Sequence, residues 1–187
     1  MRRLIPLLLA IILLSGCGGQ SRQMQTVMEF RTRLQESGGC AFDATAAAQY
    51  TNYTSEFKLQ CRYDTETKQL RFSVLEPELI EQISGVVGQD RRTVTFDTVA
   101  MELELLADER IAPLALPQIL AQSWDSGYIV SAGTDRDYTV AVFQNGYEDD
   151  TLKIETWFEN GVPVYADVWY QGRCQAGVDI ESFYFQK

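Results

Sequence analysis

The chain has 187 residues, 16 basic and 26 acidic side chains and no histidine, for a formal net charge of −10. That balance argues against nucleic acid and against close adhesion to anionic lipid headgroups. The absence of imidazole removes histidine zinc ligands, histidine-dependent nucleophilic triads and the usual general base near neutral pH.

In chain order, Arg2 and Arg3 precede an apolar run from Leu4 to Leu14 and then small residues, the layout of an export signal. The run is about half of the ~20 residues needed to cross a bilayer, so it is too short for a permanent span. Leu14, Ser15, Gly16 and Cys17 resemble the lipobox of bacterial lipoproteins. The resemblance implies cleavage after Gly16 and a diacylglyceryl group on the Cys17 sulfur, holding the protein at the extracytoplasmic face of the cell membrane. Two acyl chains exceed the marginal hold of one, so such an anchor is stable. The expected organisation is a signal peptide over 1–16, the lipidated cysteine and a short tether over 17–22, and one domain over 23–187.

From Gln20 to Glu36, Met24, Val27, Met28, Phe30 and Leu34 recur near helical spacing, and Gly38 with Gly39 ends the pattern, predicting an amphipathic helix. Period-two alternation follows. Cys40, Phe42, Ala44, Ala46, Ala48 and Tyr50 form one face of a strand, and Tyr53 to Tyr63 alternates in the same way. If the hairpin turns at Gln49 to Asn52, Cys40 faces Cys61 within disulfide reach. Buried free thiols acting as small apolar residues are the alternative. Cys174 is left over in either case.

Further strands are expected at Leu70 to Leu75, Gly85 to Val87, Thr93 to Asp97 and Met101 to Leu105. After them, Ile111 to Ser126 breaks the alternation with Pro113, Pro117, Leu116, Ile119, Leu120 and Trp124, a helix placed to cover the sheet as a lid. Strands then resume at Tyr128 to Ala132, Tyr138 to Phe143, Leu152 to Phe158, Val162 to Tyr170 and Cys174 to Phe185. Asn160 with Gly161, and Gln171 with Gly172, mark hairpin turns. The expected architecture is mostly β (α+β): a curved antiparallel sheet of roughly nine to eleven strands covered on one side, with an N-terminal helix and a mid-chain helical lid.

This order of elements resembles the LolA/LolB lipoprotein-carrier fold family. The lipobox, Phe72 to Glu78, Phe96 with Asp97, the proline-flanked helix and Val162 to Tyr170 are similar to clostridial LolA-like lipoproteins of the germination and sporulation (GerS) type. The resemblance implies an incomplete antiparallel β-barrel whose concave apolar surface, under a helical lid, accepts acyl chains or a protein segment. Its candidate lining is Phe42, Phe57, Leu59, Phe72, Val74, Phe96, Leu116, Ile119, Leu120 and Trp124, with Val94, Leu103, Val140, Val142, Ile154, Val164 and Val168 also facing inward. The bland reading of each is plain hydrophobic core.

No phosphate-cradling loop, serine elbow or calcium loop is present, and the acidic pairs Asp135 with Asp137 and Glu148 to Asp150 fall at turns where solvated carboxylates are common. The expectation is a non-enzyme without metal or cofactor. It either binds a lipid or lipoprotein ligand in its concavity or docks an envelope or spore-cortex enzyme. Outward aromatics at Trp157, Tyr165 and Trp169 either mark a partner surface or touch the N-terminal helix.

Overall fold

The computed structural model describes residues 21–49, 54–81, 83–88, 92–96, 99–102, 106–107, 110–146 and 151–187. The signal segment and Cys17 lie outside them, as do Leu103 and the run Glu148 to Asp150. No helix among the described residues is long and apolar enough to cross a membrane.

Helix α1 spans Arg22–Glu36 and starts where the Ser21 hydroxyl accepts the Met24 N–H at 3.2 Å. Val27, Phe30 and Leu34, at i, i+3 and i+7, form its buried stripe. At the far end the Ser37 and Gly38 N–H groups donate to Arg33 and Gln35. Gly39, at φ 147°, then turns the chain into the sheet so closely that a Cβ there would lie 2.1 Å from the Tyr63 carbonyl oxygen.

Six strands follow: β1 Gly39–Gln49, β2 Thr54–Asp64, β3 Gln69–Glu76, β4 Ser84–Val87, β5 Arg92–Phe96 and β6 Val99–Glu102. The short pair β7 Leu106–Ala107 and β8 Arg110–Ile111 leads through a 3-10 turn at Pro113–Ala115 into helix α2, Leu116–Ser126. The last five strands are β9 Tyr128–Asp135, β10 Tyr138–Asn145, β11 Leu152–Glu159, β12 Val162–Tyr170 and β13 Arg173–Phe185. Asn160–Gly161 and Gln171–Gly172 carry positive φ at both turn residues, the conformation that matches the twist of a two-residue hairpin.

Eleven strands form one antiparallel sheet in the order β6-β5-β4-β3-β2-β1-β13-β12-β11-β10-β9. It is two meanders joined through β1 and β13, the opposite ends of the domain, and not the single run that alternation suggests. The outer strands β6 and β9 are not paired with each other, so the barrel is incomplete, as expected. The chain must therefore travel from one edge of the sheet to the other, and α2 lies on that path.

The concave face can be followed strand by strand. One row runs Ala46, Val178, Ala166, Thr156, Ala141 and Ala132 across β1, β13, β12, β11, β10 and β9. Another runs Phe42, Cys61, Phe72, Gly85 and Val94 across β1 to β5. Near its end β13 changes face. Ala176, Val178 and Ile180 are buried, then the register shifts between Ala41 and Asp43, Ser182 takes φ 51°, and Phe183 and Phe185 pack against the core.

Three sequence expectations need correction. Val140 and Val142 are only half-buried, whereas Ala141 and Phe143 are fully buried on the concave side. Both faces of β10 are apolar, so alternation alone does not choose between them, and pairing of Phe143 with Ile154 decides. Val164 falls at an irregularity where Pro163 takes the buried place. Finally, Cys40 opposes Tyr63 and Cys61 opposes Phe42, a register two residues away from the one that brings the cysteines face to face. Cys40 and Cys61 are both buried free thiols, and Cys174 is an exposed one.

Candidate functional site

The floor of the concave face under α2 is small and apolar. The four alanines of the Ala46-to-Ala132 row, with Val178 and Thr156 between them, leave depth over the middle of the sheet, and Trp124 of α2 reaches into it. Its indole lies 5.5 Å from the Phe42 ring, 6.1 Å from Phe30 and 6.1 Å from Phe183. Its Nε1 donates to the Thr156 hydroxyl at 3.1 Å. Thr156 is a fully buried polar residue on that floor, and the indole satisfies it.

Of the expected lining residues, Phe42, Leu59, Phe72, Val74, Leu116, Ile119, Leu120 and Trp124 are buried together in one core. Phe57 is half-buried against it, and the Phe96 side chain lies outside the described residues. The structure thus joins floor and lid, but the lid fills the concavity. Sequence reasoning placed Phe30 on the apolar side of α1 but not beside the lid, and did not single out Phe143, Phe158, Phe183 and Phe185; together these rings pack beneath and beside α2.

A set of polar contacts holds α2 in place. From α1, Arg31 donates through Nε to the Trp124 carbonyl at 2.8 Å and through Nη2 to those of Ser123 and Gly127 at 3.2 and 2.6 Å. A guanidinium on the last carbonyls of a helix satisfies orphan acceptors and opposes the negative pole of the helix dipole. Burial lowers the Arg31 pKa from its ordinary value, and the nearby charge of Asp125 acts in the other direction.

Asp125 itself has no exposed side-chain surface. Its carboxylate accepts from the Tyr63 hydroxyl at 2.9 Å, from the Lys68 ammonium at 2.5 Å and from the Gln35 amide at 3.3 Å. Burial, followed by the Asp125 charge, pushes the Tyr63 phenol well above its usual range. Lys68 sits at φ 54° in the β2–β3 turn, and its carbonyl accepts from Gln118 at 3.1 Å. That one turn therefore holds α2 at both ends. Asn145 of β10 donates to the Ser123 hydroxyl at 2.5 Å on the other side.

Beside this assembly lies an open groove of 940 Å³. Met24, Met28 and Arg31 of α1, the end of α2, Tyr128 and Ile129 of β9, and Gln144 and Asn145 of β10 line it. The convex face carries a different group. Trp157 and Tyr165 meet edge to face at 5.3 Å, Trp157 Nε1 donates to Asp135 at 3.1 Å, and the Lys153 ammonium stands 5.2 Å from the Trp169 ring. These aromatics lie across the sheet from α1, whose Phe30 packs on Phe158 of the concave face, so they do not touch that helix. Among the described residues no group of three or more cysteine or carboxylate side chains could hold a metal ion.

No family model and no curated protein matches the chain. Among solved structures, a lipoprotein-sorting protein domain from Vibrio parahaemolyticus superposes with a TM-score of 0.49 at 9% identity, over 87% of this chain and 92% of that one. The LolA superfamily protein NE2245 from Nitrosomonas europaea gives 0.43 at 8%, over 86% and 94%. The MucA/MucB complex of Pseudomonas aeruginosa gives 0.38 at 15%, over 84% and 56%. At these scores the likenesses assign neither family nor activity, and the chain is described by its own geometry: an open antiparallel sheet with an apolar concave face and a latched helical lid.

Proposed function

We propose that this is an envelope binding protein that takes the acyl chain of a lipid or lipoprotein onto its concave face, with α2 as the displaceable lid. Cys17 is the membrane anchor in this reading, and no catalytic role is assigned. The observation that carries the proposal is the division of labour around α2. Its apolar side fills a floor of small residues, while polar latches at its margins, from Arg31, Gln35, Lys68 and Asn145, fix its position.

Magnitudes support an exchange. Burial of Leu116, Ile119, Leu120 and Trp124 is worth about 1.5 to 3 kcal/mol per side chain. An acyl chain of about sixteen carbons, at ~0.8 kcal/mol per methylene, supplies a comparable total of about 12 kcal/mol. A chain lying on the floor can therefore offset the lost burial of the lid, and opening the polar latches is an added cost. A short apolar molecule cannot offset that burial.

The test is to express the domain without Cys17 in a bacterial host, purify it without detergent, extract it with organic solvent and analyse the extract by mass spectrometry. Acyl lipid near one equivalent per protein is expected. Lipid-free protein that also fails to take up cis-parinaric acid would contradict the proposal.

A second reading, docking of an envelope enzyme, is favoured by the convex aromatics, where Trp169 Nε1 is buried without a hydrogen-bond partner. Trp157→Ala with Tyr165→Ala would then abolish capture of that enzyme without changing lipid content.

A further inference from the structure

We infer that the β9 side of the domain, carrying Met28, Tyr128 and Val130 beside the groove, rests on the bilayer surface, so that the groove opens toward lipid. The inference rests on the reading of Cys17 as an anchor and adds an orientation to it. Six large apolar residues among those described are exposed: Met28, Leu75, Leu79, Tyr128, Val130 and Tyr184. Two of them, Met28 at 40% exposure and Tyr128 at 73%, line the groove together, and Val130 at 49% lies two residues further along β9 from Tyr128. Leu79 at 88% belongs to the opposite half of the sheet, beside β3.

Tether length selects the occupant of this patch. Ser21 caps α1, and the four residue steps from Cys17 to Ser21 span at most about 14 Å in any conformation. The start of α1 therefore stays within that distance of the acylated sulfur. Met28 stands only about 9 Å further along the helix axis, at 1.5 Å rise per residue. Gln23 donates to Thr134 at 2.8 Å, which fixes the beginning of α1 against β9 and carries that strand to the membrane with it. Arg22 and Arg136 balance Asp135 and Asp137 in number at this end, so the local charge is near zero although the chain as a whole is acidic, and the contact is with the apolar and zwitterionic part of the bilayer surface and not with anionic headgroups. A protein so short of tether presents one side to lipid, and the side nearest the anchor carries three of the six exposed apolar residues.

Phosphatidylcholine vesicles containing brominated acyl chains test the orientation, with protein expressed in bacteria from the full chain, signal segment included, in a Cys174→Ser background. An environment-sensitive fluorophore is placed at Val130→Cys in one sample and at Leu79→Cys in another. Both positions are exposed, so labelling leaves the core intact. About twofold quenching with a blue shift at position 130, and none at 79, is the expected result. Flotation of the vesicles is scored first. Protein that floats but shows equal quenching at both positions, quenching at 79 alone or quenching at neither overturns the inference and leaves the anchor standing. Protein that does not float overturns the anchor, and the orientation with it.

Discussion

At the residue scale, Thr156, Asp125 and the cysteines carry the sharpest expectations. Replacing Thr156 by valine keeps its shape but strands the Trp124 N–H, at a cost of about 1 to 3 kcal/mol, read as a lower denaturation midpoint in urea. Lys68→Ala removes the cation from a carboxylate with no exposed surface and, with Lys68 itself partly in solvent, should cost about 1 to 3 kcal/mol, whereas Lys58 with Glu181, where the carboxylate is exposed, should cost less than about 1. Equal effects of Lys68→Ala and Lys58→Ala would count against the latch. Burial pushes both the Cys40 and Cys61 thiols above their ordinary range. Their folded pKa values being raised, the associated stability is complete below the unfolded-state value of about 8.5 and is lost as pH climbs beyond it. In protein lacking Cys17, a thiol reagent at pH 8 should modify Cys174 alone in the native state and all three cysteines in denaturant, without prior reduction. Fewer than three in denaturant would show a disulfide that the β1–β2 register argues against.

At the element scale, α2 is a helix because Pro117 suits its first turn and the apolar residues that follow have helical spacing, and it is a lid because it joins the two edges of an open sheet. The sequence made the first half legible, since Leu116, Ile119, Leu120 and Trp124 recur at helical intervals. The latch was not legible: Arg31, Lys68 and Asp125 are separated by tens of residues and look like ordinary surface charges until the β2–β3 turn and α1 converge on one helix end. The face of β10 was misread for a related reason. Its two apolar faces differ only in what pairs across from them, and that is a long-range property. Arg31→Ala should take the guanidinium from the Trp124 and Gly127 carbonyls and one of two donors from that of Ser123, which keeps the Gly127 N–H, raising hydrogen-exchange rates at the end of α2 about tenfold or more while leaving the β1–β2 amides protected. Uniform change across the domain would instead indicate global destabilisation.

At the scale of the whole molecule, the alternating strands, the two helices and a curved sheet covered on one side followed from period and punctuation, and the incomplete barrel from the resemblance. The closure of the sheet through β1 and β13 did not, because alternation carries no information about which distant strands meet. Phe183 and Phe185 illustrate the point. Their parity puts them with the outward residues of β13, and only the bulge opposite Phe42 turns them into the core. The resulting molecule has its apolar floor covered by a segment that is itself a crossover, joined at both ends by chain and fixed at its margins by polar contacts. Binding of an acyl chain therefore requires α2 to leave the floor.

Hydrogen exchange measured by mass spectrometry, on the domain without Cys17 and with or without a saturating long-chain lysophospholipid, tests that requirement directly. The account predicts that ligand strips protection from α2 while amides of β2, β3 and β11 keep or gain theirs. Stoichiometric binding of the lipid with α2 fully protected would contradict it.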